Sequence, residues 1–173
     1  MPLGARPIIR GHASARLLII SQAPGTKVHE TGLSFNDRSG DRLRQWLAID
    51  RDTFYDETRI AIVGMGFCYP GRDRKGGDLP PRPECAPLWH ERVLQQLSKV
   101  ELTLLVGSYA INYYLGTKRK RSMAETVEAW QDYLPRFMPL PHPSWRTTLF
   151  EKSHPWFEAK LLPALRQRVK RLL

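Results

Sequence analysis

The chain has 173 residues, 42% of them hydrophobic, enough for one continuous core and too few for two well-sized domains. Its 27 Lys and Arg against 17 Asp and Glu give a formal charge of +10, which attracts polyanions and makes nucleic acid the first partner to consider. Its two cysteines, Cys68 and Cys85, exclude a disulfide scaffold and lack the C-x-x-C spacing of a structural zinc site. No apolar window reaches membrane-span length, and the arginine-containing N-terminal stretch has no signal-type apolar region. The expectation is one domain over 1–173, monomeric, cytoplasmic and away from membranes, with neither metal nor cofactor.

Leu17 to Ile20 form a branched apolar run that stops at Ser21-Gln22-Ala23-Pro24-Gly25, as a buried strand entering a sharp loop does. Ser39 can cap a helix whose apolar positions Leu43, Trp46 and Leu47 recur at helical spacing. Arg59 to Met65 reads as a second strand, and the Pro- and Gly-rich stretch from Tyr69 to Pro83 is long enough to be functional or mobile. Pro87 suits the first turn of a helix carrying Val93, Leu94 and Leu97, and Leu102 to Val106 is a third strand. Helices follow over Ser108 to Leu115 and Ala124 to Tyr133, with the basic run Lys118 to Arg121 between them. A short strand, Phe137 to Leu140, leads into Pro141-His142-Pro143-Ser144-Trp145. The last helix, from Trp156 to Leu172, buries Leu161, Leu162, Leu165 and Val169, leaving Arg166, Arg168, Lys170 and Arg171 on a solvated face.

Alternating strands and helices predict a three-layer α/β/α sandwich around a mainly parallel sheet of about four strands. Ligands of such sheets bind at the carboxyl ends of the strands. The loops after Ile20, Met65, Val106 and Leu140 should therefore converge there.

The segment SQAPGTKVHETGLSFNDRSG, Ser21 to Gly40, resembles the first motif of the uracil-DNA glycosylase superfamily, particularly its bacterial and archaeal iron–sulfur branches of the family four and five types. Gly25, Gly32, Phe35 and Gly40 fall in that register without a gap. GFCYPG, PPRPECAPLW and LLVGSYA resemble later blocks of the same branches, and His142-Pro143-Ser144 matches the second catalytic motif. These blocks together, in order, are far more specific than any one of them.

The resemblance implies an enzyme of base excision repair that flips a damaged or deaminated base out of DNA and hydrolyses its bond to the sugar. Phe35 would stack on the base, with Gln22 and Ala23 at its edge and Pro24 and Gly25 shaping the loop. His142 would stabilise the departing base as a neutral N–H donor. Ser144 would grip a phosphate or tie the loop, and Trp145 and Arg146 would enter the duplex space, unless Trp145 is a packing residue. Lys118, Arg119 and Lys120 would add salt-dependent affinity if they lie beside a phosphate track.

The chain departs from the pattern in three respects. Gln22 and Ala23 offer no base where many relatives carry Asp, Asn or Glu; Asp37 is proposed instead, as a base or a stabilising anion, against the alternative of a helix cap. Glu30 is a weaker candidate. Gly64 replaces an Asn that reads the base in uracil-excising relatives, so Asn36 is proposed as a substitute reader and the excised base is left open among uracil, hypoxanthine and xanthine. Only two of the four cluster cysteines are kept, so no cluster is expected from one chain. The competing readings are a non-catalytic DNA-binding member of the fold and an α/β enzyme acting on free nucleosides.

Overall fold

Four runs of branched aliphatic residues build the centre of the molecule in the computed structural model, which describes residues 4–173. They are β1 (Leu17–Ser21), β2 (Ile60–Gly64), β3 (Leu102–Val106) and β4 (Phe137–Leu140). All pair in parallel in the order β2-β1-β3-β4, with Leu17 opposite both Ile60 and Leu102. A strand covered by helices on both faces can be apolar throughout, and β2 and β3 are buried at every residue. The predicted sheet is thus observed, with each strand boundary shifted by a residue at most.

The helices are α1 (Thr26–Thr31), α2 (Arg38–Leu47), α3 (Arg51–Tyr55), α4 (Cys85–Gln95), α5 (Ser108–Leu115), α6 (Met123–Glu128), α7 (Thr147–Ser153) and α8 (Leu162–Leu172). Helix α2 buries Leu43, Trp46 and Leu47 as the spacing predicts. Its cap is Asp37, whose Oδ1 accepts the Gly40 N–H at 2.9 Å, in place of Ser39. The expected helix 124–133 breaks after Glu128, and Trp130–Tyr133 tighten into a 3-10 turn. Residues three apart eclipse in such a turn, so Trp130 and Tyr133 go into the core together. The last helix begins with a wide π turn, Phe157–Leu161, and Pro163, which has no N–H to donate, sits in the first turn of α8. The anticipated stripe of Leu161, Leu162, Leu165 and Val169 is buried. Arg166 is not merely solvated: it donates to the Trp46 and Gln45 carbonyls and so closes the C-terminal end of α2.

The exposed edge of β2 is partly covered by the N-terminal segment, where Arg10 and Ile62 exchange backbone hydrogen bonds of 3.0 and 2.7 Å. The long loop between β2 and α4 is held by a small hairpin. The Asp73 carboxylate accepts from the Lys75 and Gly77 N–H groups, and Leu79 donates to the Gly71 carbonyl.

Phe35 adopts a left-handed backbone, φ 56°, and its carbonyl lies where a side chain at position 40 would stand. A Cβ at Gly40 would come 1.7 Å from the Phe35 oxygen, a contact no rotamer relieves. We expect Gly40→Ala to lower unfolding free energy by more than about 2 kcal/mol in urea titrations. Gly76→Ala, at φ 81° with open space around it, should cost only about 1 kcal/mol.

Candidate active site

The chain winds first to one side of β1 and then to the other, and a crevice opens outside the strand ends at such a reversal. A cleft of about 140 Å³ lies there, below the roughly 300–1,000 Å³ of sites that enclose drug-sized ligands; a small planar heterocycle suits it. The loop after β1 supplies Gln22, Ala23, Pro24 and Gly25, β2 supplies Gly64, the turn into α2 supplies Phe35 and Asp37, and the segment after β4 supplies His142. Phe35 and His142 therefore line one cleft.

Phe35 is 92% buried by its 8% relative exposure and meets the Phe54 ring edge to face at 6.0 Å. Its left-handed φ costs an unbranched L-residue about 1–2 kcal/mol. The turn tolerates this because it is fastened on both sides: Tyr55 Oη donates to the Ser34 carbonyl at 2.8 Å, and α2 begins directly under the Phe35 carbonyl.

His142 is largely enclosed, and burial pushes its imidazole below the ordinary histidine value of 6.5, against the smaller opposing pull of the Asp37 carboxylate. It is neutral at pH 7 and carries one N–H. Among the described residues neither ring nitrogen is hydrogen-bonded to protein. Its backbone is held firmly, since the carbonyl accepts from the Ser144 N–H at 2.8 Å and from the Thr147 hydroxyl. Gly107, at the end of β3, sits against the imidazole's Cβ: a side chain there would meet it at 3.3 Å.

Arg42, on α2, donates to the Ser144 carbonyl at 2.9 Å and to Thr148 Oγ1 at 2.8 Å. The helix that starts at Asp37 thus also fixes the His142 turn. Trp145 is 79% exposed and Arg146 lies over its ring at 5.4 Å, which rules out the packing role for Trp145. Leu149 on α7, also 72% exposed, extends this apolar surface. The sequence reading had no helix there and missed it.

Two expectations are corrected by placement. Asn36 does not line the cleft; its Oδ1 accepts from Arg51 Nη2 at 2.9 Å. The run Lys118 to Lys120 lies at the far end of α5, where the Lys118 carbonyl accepts from Tyr133, shortly before β4 begins. That is the amino-terminal edge of the sheet, away from the cleft, and Lys120 there pairs with Asp132 at 2.7 Å. Glu30 is exposed on α1, outside the cleft. Asp37 is the cap of α2 and also lines the cleft.

Residues missed by the sequence reading include Asp78, which lines the cleft from the hairpin loop, and His90. His90 shares the apolar stripe of α4 with Ala86, Val93 and Leu94, a helical spacing that marks it as inward-facing. Its Nε2 lies 2.9 Å from the Gly64 carbonyl and its Nδ1 2.6 Å from Tyr114 Oη. A carbonyl only accepts, so Nε2 carries the proton and Tyr114 donates to Nδ1. His90 thereby fixes the strand end that borders the cleft. A Cβ at Gly64 would come 2.5 Å from the Gly66 oxygen, so this backbone has no place for an asparagine there.

Cys68 and Cys85 are half-buried and free, and Cys85 Sγ accepts the Phe67 N–H at 3.4 Å. Burial raises the Cys85 thiol above its usual range. A four-thiolate cluster needs four cysteines and the chain has two; among the described residues no three His, Cys, Asp or Glu converge as a metal site. The residues present do not fit that cluster.

Burial lowers both His90 and His142, so each resists protonation when folded and takes a proton freely when unfolded. Stability is then independent of these groups above pH 6.5 and falls as pH drops from there through the depressed folded values. Thermal melts should show a falling Tm between pH 7 and pH 5, with a smaller acid-side slope in His90→Gln.

The order of the motifs, the parallel sheet and the cleft at its carboxyl edge agree with one further finding. The family model described as the Uracil DNA glycosylase superfamily matches residues 9–166, most of the 173, and the chain belongs to that superfamily.

Proposed function

We propose that this protein is a monofunctional DNA glycosylase of base excision repair, acting as a cytoplasmic monomer on uracil or another deaminated base everted from DNA. The observation that carries the reading is the pairing of an aromatic face, Phe35, with a neutral imidazole, His142, in one cleft of nucleobase scale. An everted pyrimidine or purine stacks on Phe35. As the N-glycosidic bond lengthens, its electron pair moves onto the base, and the His142 N–H donates to the base oxygen where charge accumulates. Water completes the reaction at C1′ and leaves an abasic sugar. The Asp37 carboxylate, close to His142, is placed to favour the cationic sugar.

Trp145, Leu149 and Arg146 form an exposed apolar and cationic surface beside the His142 turn. Apolar side chains of this kind offset the few kcal/mol of unstacking when they take the place of the flipped base. The reading of Ser144 as a phosphate contact through its hydroxyl is compatible with its carbonyl being held by Arg42. A second reading, a DNA-binding member without chemistry, draws on Ala23 and Gly64, which bring no side-chain amide or carboxylate to the base edge.

Oligonucleotides carrying a single uracil, hypoxanthine or xanthine, treated with the protein and then with alkali, separate these readings. Strand breaks at the modified base are expected; tight binding without breaks would leave only the second reading. His142→Ala should lower the single-turnover rate by about 10²–10³. Trp145→Ala should lower the rate on duplex by about tenfold or more while sparing single-stranded substrate, because only the duplex charges for unstacking.

A further inference from the structure

Neither Gln22 nor Ala23 can take a proton from water, and Asp37 spends one oxygen as the cap of α2. The cleft nevertheless has a second carboxylate. Asp78 reaches it from the hairpin Gly71 to Leu79. Its Oδ1 lies 3.2 Å from Thr26 Oγ1 and 3.2 Å from Tyr69 Oη, both donors to it. Arg72 Nε donates to Thr26 Oγ1 at 3.1 Å, which ties the hairpin to the start of α1. The other oxygen, Oδ2, lies over the first motif. A Cβ on Gly25 would stand 2.8 Å from it. Gly25 has an ordinary φ of −83°, so no left-handed backbone requires glycine there; the approach of the Asp78 carboxylate does.

We infer that Asp78 is the carboxylate that receives the proton of the attacking water, a catalytic residue supplied by the loop after β2 rather than by the first motif. The inference rests on the glycosylase reading above. Its anchored oxygen fixes the carboxylate's direction, while Oδ2, which has no hydrogen-bond partner among the described residues, faces the cleft that Gln22 also lines. A water needs at least two polar partners to be held; Oδ2 would be one, and Gln22, which lines the same cleft, would be the other. In the step itself, the bond between base and C1′ breaks and its electron pair leaves with the base. The water oxygen bonds to C1′, and its proton passes to Asp78. The base anion and the protonated Asp78 then exchange protons with solvent, so atoms and charge balance without a further reactant.

The alternative is that Asp78 only anchors the hairpin. Asp78→Asn separates the two, since the amide oxygen still accepts from Thr26 and Tyr69 while the charge and basicity are gone. Single-turnover release of uracil, hypoxanthine or xanthine from oligonucleotides should fall by about 10² or more in this variant. DNA affinity and the rate of tryptic cleavage at Arg72, Arg74 and Lys75 should match those of the native protein. Asp78→Ala should regain part of its rate with added formate, a diffusible carboxylate. The double variant Thr26→Val, Tyr69→Phe should loosen the hairpin to trypsin and lose less activity than Asp78→Asn. Native-rate turnover by Asp78→Asn, or a loss accompanied by faster hairpin cleavage and no formate rescue, overturns the assignment to Asp78 alone. If the native protein releases no base from any of the three substrates, the glycosylase reading falls and this inference with it.

Discussion

The Phe35 carbonyl and the Gly40 backbone occupy space that cannot also hold a side chain, and much of the site follows from that contact. With α2 seated under the turn, Phe35 is kept in a left-handed conformation that directs its ring between Phe54 and the cleft. The strain, about 1–2 kcal/mol, is offset by the roughly 1.5–3 kcal/mol gained by burying a phenylalanine side chain. The same helix carries Arg42, which holds the Ser144 carbonyl, and Trp46, whose indole N–H donates to Glu151 on α7 at 2.9 Å. One rigid element therefore sets the spacing between the stacking face and the histidine turn, although the two are more than a hundred residues apart in sequence. A site spread over independent loops would lose that registration with every loop motion.

The formal charge of +10 attracts polyanions. Inside, the two histidines that touch the cleft or its rim are kept neutral by burial. A neutral donor at His142 can stabilise a departing anion without first attracting a counter-charge into the site. At His90 neutrality lets a single N–H serve the Gly64 carbonyl while Tyr114 satisfies the other nitrogen, so the strand end bordering the cleft is fixed without introducing a charge.

What the sequence made legible was what local pattern encodes. Strands buried on both faces are continuous aliphatic runs, and the sheet could be read from them almost residue by residue. The spacing of Gly25, Gly32, Phe35 and Gly40 marked the turn because each glycine meets its own constraint: the Asp78 carboxylate over Gly25, the left-handed φ of Gly32 and the Phe35 carbonyl at Gly40. Where the reading failed, the missing information was tertiary. Helices α1, α3 and α7 are too short to repeat an apolar pattern, and only α3 carries a side-chain cap, the Asp50 carboxylate on the Thr53 N–H. Asn36 sits beside Phe35 in the chain, yet its amide is taken by Arg51, which nothing local announces. The basic run at Lys118 looks suited to phosphates, but the length of α5 carries it to the opposite edge of the sheet. Asp78 lies in a Gly- and Pro-rich loop whose return onto Gly25 depends on Thr26 and Tyr69, residues distant from it or unremarkable in composition.

The loop between Gly66 and Cys85 shows how a chain with two cysteines organises a region that its four-cysteine relatives, by the resemblance, tie with a cluster. Here the ties are distributed. The Cys85 thiol takes the Phe67 N–H, the Asp73 carboxylate closes the tip of the hairpin, and the Asp78 carboxylate and Tyr69 hydroxyl fasten it to α1. His90 stacks on Phe67 with ring centroids 5.4 Å apart and the planes 12° from parallel, joining the loop's beginning to α4. Each of these bonds is worth about 0.5–1.5 kcal/mol, with those to a carboxylate stronger, so none alone replaces a cluster's cross-links. Together they have one consequence: the hairpin's main anchor is itself a carboxylate at the cleft. Order in the loop and the position of the Asp78 carboxylate at the cleft are then set by the same contacts.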